Sequence, residues 1–412
     1  MPSSGPGAGA RISGTWKLGE ASPVELIETG STHAGPEPGI ALCLSGGGYR
    51  AMLFHVGALW RLNEVGLLPK LDRISSVSGG SITAAVLGHR WPRLGFQDGV
   101  AQNFVPEVVD SIRGLADRTI DGWAILGGLL WLGSIPDRMI AAYRKHLLGD
   151  TSLQDLPDSP QFVFNATNAQ SEVLWRFMKR YMRDYRVGEV RNPKLPLAVA
   201  VAASAAFPPF LSPVRLRLNP ESFVPGSGTD LQGNAYRSEV VLTDGGVYDN
   251  LGLETAWKRF DTILVSDGGG KTEPEERPKR DWARHTYRAI NLIQNQVLSL
   301  RKRALIASYE RGDRKGAYWG ITTDISHFEG VNSLPCPFSE TQILARVPTR
   351  LCRLEPLLQE RLINWGYAVC DAALRKHVEP GLTLPAGFPY ARTGVGDGMA
   401  REVGAPGPRL GR

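Results

Sequence analysis

Strand-like apolar runs and helix-like apolar spacing alternate along the chain, beginning with an apolar run at Ile40–Leu44. Three glycines follow this run, and after them apolar residues recur at helical spacing. A second strand-like run, Leu71–Val77, leads into Ser78 and two further glycines, and another helix pattern extends from Ile82 to about His89. A strand–helix–strand crossover of this length joins parallel strands. The sequence therefore predicts an α/β fold.

Later segments continue the alternation. The pattern predicts strands at Phe162–Ala166, Val240–Thr243 and Thr262–Ser266, a helix or buried strand at Leu197–Ala206, and long helices at about Thr286–Glu310 and Glu355–His377. Residues 1–38 are rich in Gly, Pro, Ser and Thr, and we expect a disordered N-terminal lead. One domain is expected over 39–386, with a core at about 39–270 and a helical extension at about 280–380, before a loose tail at 387–412.

The apolar run Trp123–Leu132 does not fit this alternation. It is shorter than the roughly 20 residues that a helix needs to cross a bilayer. A buried helix or loop is the favoured interpretation, because short apolar runs usually belong to a core. The alternative is a flap over a site, or an interfacial segment whose tryptophans contact lipid. No transmembrane helix is expected in this chain.

Composition and charge indicate which class of partner the protein contacts. The 412-residue chain has a formal net charge of +6, which suits an anionic surface. Because the chain has no aromatic–basic nucleic-acid motif, peripheral contact with an anionic membrane is preferred to nucleic acid. Positive charge is concentrated at 277–315. A solvated helix face is the slightly favoured explanation, and contact with anionic lipid is the alternative.

The cysteines and the N-terminus indicate the cellular compartment of the protein. The four cysteines show no paired spacing, and Cys43 and Cys370 lie in apolar patterns, which is typical of core residues in a reducing compartment. The N-terminus has no apolar segment of the Sec signal type. We therefore expect a cytoplasmic protein, with export by another route left open.

The two strand–turn–helix units carry the candidate chemistry. Only glycine lets a chain turn this sharply and expose several N–H groups at a helix start, so the amides of Gly46, Gly47 and Gly48 are candidate oxyanion donors. Ser78 lies on a tight strand-to-helix turn, where an acyl-transfer site places its nucleophile. Arg50 could hold the glycine loop or bind a lipid phosphate. The rival use of the glycines, a nucleotide-phosphate loop, lacks both the Gly-Lys-Ser/Thr ending and the dinucleotide spacing.

A serine nucleophile also needs a base. Asp244 stands at a strand end before two glycines, where a carboxylate could act directly on the serine. Asp267 stands before three glycines at the end of another strand, and the sequence alone does not rank the two firmly. For a triad, His327 in a loop is the least unfavourable of three late histidines; the others are His285 and His377.

Four motifs occur in order along the chain. They are Ser45-Gly-Gly-Gly-Tyr-Arg50, Ser76-Val-Ser-Gly-Gly80, Ala203-Ser-Ala-Ala-Phe-Pro208 and Asp244-Gly-Gly-Val-Tyr-Asp-Asn250. Together they resemble the patatin-like phospholipase family over roughly residues 39–270, and the C-terminal helices look like an extension found in some bacterial members. Two positions depart from the family pattern: Ser76 replaces the first glycine of the elbow, and Ala51 stands where glycine is frequent.

The resemblance implies a three-layer α/β/α fold with a mainly parallel central sheet, and a Ser–Asp dyad without histidine. By that analogy Ser78 is the nucleophile, Asp244 the base and the Gly46–Gly48 loop the oxyanion hole. The implied reaction is hydrolysis of a fatty-acyl ester of a phospholipid or lysophospholipid through an acyl-serine intermediate, with no metal or other cofactor. A non-catalytic lipid-binding scaffold on the same fold and, less favoured, a nucleotide-binding protein stay open as alternatives. The sequence does not predict an oligomeric state.

Overall fold

A ten-stranded mixed sheet organises the part of the chain that the computed structural model describes, residues 36–121, 135–209, 211–270, 274–278 and 281–397. The strands are β1 Glu37–Leu44, β2 Arg73–Ser76, β3 Phe96–Gln97, β4 Val100–Ala101, β5 Gln161–Asn168, β6 Val173–Phe177, β7 Tyr181–Asp184, β8 Gly188–Arg191, β9 Val214–Arg217, β10 Glu239–Asp244, β11 Phe260–Asp267 and β12 Lys315–Gly320. Strands β3 and β4 form a separate two-stranded ribbon. All of these elements belong to one compact unit that begins at Glu37.

Helices surround this sheet. They are α1 Gly48–Glu64, α2 Gly79–Arg90, α3 Asp110–Ala116, α4 Ile135–Tyr143, α5 Leu197–Ser204, α6 Asn234–Arg237, α7 Gly246–Asp249, α8 Glu254–Trp257, α9 Trp282–Glu310, α10 Phe338–Ala345 and α11 Pro356–His377. No helix in the described ranges is long and apolar enough to span a bilayer.

Five consecutive strands are parallel, in the order β12-β11-β1-β2-β5; β12 is at the edge of the sheet and the other four are interior. Strand β2 pairs with the first half of β5, and β10 pairs antiparallel with its second half, at Ala166–Asn168. The other side of that second half pairs with β6, so β2 and β10 lie on the same side of β5 and run toward each other. This arrangement brings the turn after β2 close to the end of β10.

Alternate side chains of β1 enter two different packed layers, as expected for a strand with helices on both faces. Leu42 and Leu44 are buried in the main core with residues of α1, α2 and α11. Ala41 and Cys43 are buried in a second cluster that includes Leu305 of α9. The predicted three-layer α/β/α fold is therefore confirmed, with parallel strands in the middle of a mixed sheet.

Helices α1 and α11 cross in close contact at two glycines. A Cβ atom at Gly57 would lie 1.9 Å from the carbonyl oxygen of Ile363, and one at Gly366 would lie 1.9 Å from that of Phe54. Any side chain at either position would force the helices apart. The C-terminal helix α11 is thus part of the core that supports the glycine loop at the start of α1.

The C-terminal region departs from the expected boundaries. The segment predicted as a helical extension also contributes β12, which pairs in parallel with β11. Residues assigned to a loose tail pack on α11, where the Asn364 side chain donates to the carbonyls of Tyr390 and Gly394 at 2.9 and 2.8 Å. The predicted lead up to residue 35, the apolar run Trp123–Leu132 and residues 398–412 lie outside the described residues.

Candidate active site

Ser78 lies on a sharp elbow between β2 and α2, with φ 51° and ψ −118°. An L-residue held in this conformation typically costs about 1–3 kcal/mol, and such strain clusters at functional sites. The two following residues must be glycines. A Cβ at Gly79 would lie 2.3 Å from the carbonyl oxygen of Gly48, and one at Gly80 would lie 2.4 Å from that of Leu44. The elbow therefore sits directly against the glycine loop.

The side chain of Ser204, at the end of α5, fixes the backbone of this elbow. The Ser78 amide donates to Ser204 Oγ at 3.0 Å, and the Ser204 hydroxyl donates to the Asn165 carbonyl at 2.7 Å. The Ser81 hydroxyl oxygen lies 2.8 Å from Ser204 Oγ. Ser204 belongs to the motif Ala203-Ser-Ala-Ala-Phe-Pro208, but the sequence gives no signal of this role. Its buried hydroxyl makes it a positioning residue for Ser78.

Asp244 ends β10 and carries a buried carboxylate with one free oxygen. Its Oδ1 accepts a hydrogen bond from the Gly246 amide at 2.7 Å, whereas its buried Oδ2 has no hydrogen-bond partner among the described residues. Burial raises the pKa of Asp244 to about 6, and the Gly246 amide and the Ser78 hydroxyl oppose this rise. The hydroxyl thus interacts with the carboxyl but does not reach normal hydrogen-bond geometry. Such contacts often tighten when substrate binds.

Residues 204–206 hold both Ser78 and Asp244 through hydrogen bonds. The carbonyl of Ser204 accepts from the Gly245 amide at 3.2 Å, and the carbonyl of Ala206 accepts from the Asp244 amide at 2.9 Å. The Ser204 hydroxyl meanwhile holds Ser78. The relative position of the serine and the acid is therefore set through residues 204–206.

The glycine loop offers fewer free amides than expected. The Gly46 amide donates to the carbonyl of Asn250 at 3.1 Å, so this predicted oxyanion donor is already engaged. The amides of Gly47 and Gly48 bond to no residue that the structure describes. Gly48 has φ +61°, and a Cβ there would lie 2.6 Å from the Arg350 carbonyl oxygen. The candidate donors are therefore Gly47 and Gly48 at the N-terminus of α1.

The buried side chain of Arg50 connects three parts of the site through hydrogen bonds. Its Nε donates to the Gly268 carbonyl at 3.1 Å, and its Nη1 donates to the Val347 carbonyl. Burial lowers the pKa of Arg50 to about 10, and Asp267 opposes this effect. These bonds favour the interpretation that Arg50 holds the loop over the interpretation that it binds a lipid phosphate.

Asp267, the rival acid, is committed to an ion pair. Burial alone would raise its pKa, but the Lys302 ammonium at 2.5 Å and the Tyr318 hydroxyl at 2.8 Å lower it below the usual value. Asp267 does not line the cleft that contains Ser78. The structure therefore distinguishes two carboxylates that the sequence could not rank.

No histidine lines this cleft within the described ranges, and this holds for His285, His327 and His377. His55 lies below the glycine loop with its ring nitrogens 2.8 Å from Ser266 Oγ and 2.9 Å from the Ser45 carbonyl. Burial lowers the pKa of His55 to about 4, so it is a neutral structural group. The described part of the chain contains no cluster of three or more side chains suited to hold a metal ion.

A cleft of about 540 Å³ joins these groups. Its lining comes from the elbow, the glycine loop, the end of β10, α9 and the segment 346–351. That last segment is tied to the glycine loop, since the Tyr49 amide donates to the Arg350 carbonyl at 3.0 Å. The predicted residues Ser78, Asp244, Gly46–Gly48 and Arg50 all lie at this cleft. Sequence reasoning missed the wall formed by 346–351, for which no local motif gives a signal.

The fold and the site define an α/β/α protein in which a serine elbow and a buried acid meet beside a glycine loop, at the C-terminal ends of β2, β10 and β1. The chain belongs to the patatin-like phospholipase family, whose sequence model matches residues 42–257. Membership of this family supports lipid hydrolase activity. A search of curated protein sequences finds no match.

Solved structures that match this chain include human GIVD cytosolic phospholipase A2, at 12% identity and a TM-score of 0.48, over 82% of this chain and 61% of that chain. The same human protein with methyl gamma-linolenyl fluorophosphonate inhibitor and terbium chloride matches at 16% identity and a TM-score of 0.45, over 81% and 58%. VipD from Legionella pneumophila matches at 14% identity and a TM-score of 0.35, over 83% and 67%. The chain spans about three fifths of the length of the human structures.

Proposed function

We propose that the protein is a serine acyl hydrolase that cleaves fatty-acyl esters of phospholipids or lysophospholipids through an acyl-serine intermediate. The observation that carries this proposal is the meeting of Ser78, on a strained elbow, with the buried carboxylate of Asp244 in one cleft. An isolated serine hydroxyl is a weak nucleophile and needs such a base.

In the first half of the reaction, Asp244 accepts the proton of the Ser78 hydroxyl while Oγ attacks the ester carbonyl carbon. The negative charge that develops on the carbonyl oxygen is stabilised by the free amides of Gly47 and Gly48 and by the positive ends of α1 and α2. The C–O bond to the alcohol then breaks, and the alcohol takes the proton from Asp244. The fatty acyl group stays on Ser78 as an ester.

In the second half, a water molecule replaces the alcohol. Asp244 accepts one water proton while the water oxygen attacks the acyl carbon, and the same amides hold the second oxyanion. The bond to Ser78 breaks, the fatty acid leaves, and the proton returns to the serine oxygen. Ser78 and Asp244 make every proton transfer in this scheme, so the proposal includes no cofactor.

The lining of the cleft suits an amphipathic ester. Phe207, Leu211 and Leu298 offer apolar surface to an acyl chain, and the ion pair of Arg350 with Asp121 adds polar groups at the same cleft. A volume of about 540 Å³ lies within the range typical of small-molecule sites. These features support a lipid ester, and the headgroup is left to experiment.

The test is hydrolysis of p-nitrophenyl esters of graded chain length and of phospholipid and lysophospholipid vesicles, with released fatty acid measured by mass spectrometry. Ser78→Ala should abolish release of fatty acid, while circular dichroism shows an intact fold. Full activity in Ser78→Ala would reject the proposal. A wild-type protein that binds lipid but releases no fatty acid would favour the non-catalytic scaffold.

A further inference from the structure

Helix α9 carries an exposed apolar stripe on the face turned away from the cleft. Trp282, Ile293 and Leu300 are separated by 11 and 7 residues, close to three and two full turns, so they share one face. Their exposed fractions are 83%, 65% and 58%, and Leu292, about a quarter turn around the helix from this row, is 57% exposed. We call these four residues the outer stripe. A row of large apolar side chains in water typically marks a binding surface.

The opposite face of α9 borders the candidate active site. Asn291, Gln294 and Leu298 line the cleft. Farther along the helix, Leu305 is buried in the second core cluster, and Lys302 pairs with Asp267. The helix is therefore anchored through its C-terminal half, while its N-terminal half separates the cleft from the outer stripe.

The charges of α9 indicate what the outer stripe binds. The helix has no acidic residue before Glu310. Its basic side chains are largely paired, as Arg284 is with Asp281, Arg288 with Glu275, and Arg301 with Glu254. Of the described basic residues on α9, Arg303 has no carboxylate partner, and its guanidinium donates to the Ser299 carbonyl of its own helix. The outer stripe is thus accompanied by a weak net positive charge, and a lipid surface with anionic headgroups accepts both the apolar side chains and this charge.

We infer that the outer stripe is a docking surface for a lipid membrane, held mainly by apolar insertion. Tryptophan at one end suits the bilayer interface, where its amphipathic ring is favoured. Because the same helix lines the cleft with its other face, docking by the outer stripe brings the cleft within one helix diameter, roughly 10 Å, of the bilayer. A lipid could then move from the bilayer into the cleft with little exposure of its acyl chain to water. This role in substrate delivery rests on the proposed function, but the binding itself does not.

The experiment is flotation of the full chain with vesicles of phosphatidylcholine alone and of phosphatidylcholine mixed with phosphatidylglycerol. The test variant is Ile293→Glu with Leu300→Glu. The matched control is Leu357→Glu with Leu384→Glu, since Leu357 and Leu384 are similarly exposed, at 50% and 54%, and lie outside the cleft. We expect the test variant to bind vesicles at least about tenfold more weakly than wild type, a typical effect of charge on an inserting face. The control should bind like wild type, and raising the salt concentration should weaken binding less than the double substitution does.

Hydrolysis of a short soluble ester, measured in parallel, separates this inference from the proposed function. It should be unchanged in the test variant, because the outer stripe does not line the cleft. Ser78→Ala should float with vesicles as well as wild type. The inference is overturned if wild type does not bind vesicles, if Ile293→Glu with Leu300→Glu binds as well as wild type, or if that variant changes only the oligomeric state.

Discussion

The hydroxyl oxygen of Ser204 accepts the amide hydrogen of Ser78 at 3.0 Å, and this bond links the end of α5 to the elbow. Ser78 has a positive φ, which an L-residue adopts only where the surroundings compensate for the strain. Ser204 also donates to the Asn165 carbonyl on β5, so a single buried hydroxyl connects the elbow to the sheet. The orientation of the candidate nucleophile therefore depends on a residue outside the elbow.

Replacing Ser204 with alanine should lower kcat while leaving KM nearly unchanged. The variant removes the acceptor of the Ser78 amide but touches no substrate surface, so the loss comes from a misplaced nucleophile. Small misplacements of reacting groups cost roughly tenfold to a hundredfold in rate. Steady-state kinetics on a soluble ester gives the two constants separately. Ser81→Ala is the matched control, because it trims the same hydroxyl network and keeps the bond to Ser78. An equal loss in both variants would remove the special role of Ser204.

The rate should fall as the solution becomes acidic. Asp244 must be ionised to accept the serine proton, and burial raises its pKa to about 6. We therefore expect log(kcat/KM) to be level above about pH 7 and to decrease with a slope near one below about pH 6. A pH–rate profile on a soluble ester, at constant ionic strength, measures this. A rate that is level down to pH 4 would exclude Asp244 as the titrating base.

Asp244→Asn should be inactive and yet more stable than wild type at neutral and alkaline pH. The folded-state pKa of this acid lies above its usual value of 3.8, so folding disfavours ionisation. The favourable contribution of the protonated group is fully present at low pH and is lost as the pH rises from about 4 to about 6. The substitution should raise the free energy of unfolding by about 2–3 kcal/mol at pH 8, and by little at pH 4. Urea unfolding of both proteins at pH 8 and at pH 4 measures this change in the free energy of unfolding.

Asp267→Asn is the contrasting variant. The pKa of Asp267 is lowered by Lys302 and Tyr318, so its contribution to stability is present above the usual pKa and is lost as the pH falls. The substitution removes a charged hydrogen-bond partner from the partly exposed Lys302 ammonium, which typically costs about 1–3 kcal/mol. The two aspartate variants should therefore change the free energy of unfolding at pH 8 in opposite directions. Equal destabilisation by both would contradict the assignment of Asp244 as a buried acid whose ionisation folding disfavours.

The sequence was sufficient for the elements whose signals are local. The elbow, the glycine loop and the end of β10 are marked by glycines that no other residue could replace, as at Gly79 and Gly48. The ambiguous segment at Leu197–Ala206 folds as the helix α5, a choice that depends on its packing in the main core. Local pattern does not contain that information.

Three features of the site depend on contacts between distant parts of the chain. The Asn250 carbonyl accepts the hydrogen bond of the Gly46 amide, Ser204 holds Ser78, and the segment 346–351 forms one wall of the cleft. The choice between Asp244 and Asp267 also required the structure, because it follows from Lys302 and Tyr318, which come from α9 and β12. The spacing of residues along the chain cannot show which of the two Asp-Gly-Gly turns lies next to a lysine side chain.

Gly48→Ala should reduce both activity and stability. The residue has φ +61°, and the new Cβ would lie 2.6 Å from the Arg350 carbonyl oxygen, so the loop and the 346–351 wall must move apart. A strained conformation of this kind costs about 1–3 kcal/mol. Gly114→Ala is the control, since a Cβ at this exposed helical position meets nothing within 4 Å. That control should raise the melting temperature slightly, because alanine is favoured over glycine by about 0.5–1 kcal/mol in helices. A harmless Gly48→Ala would contradict the close approach.

The central claim, an activated Ser78, is tested most directly by reaction with a fluorophosphonate probe followed by mass spectrometry of the proteolytic peptides. Wild type and His327→Ala should carry one adduct, on Ser78, while Asp244→Asn should react at least about a hundredfold more slowly, as expected when a general base is removed. An adduct on another residue, or unchanged labelling in Asp244→Asn, would contradict the account.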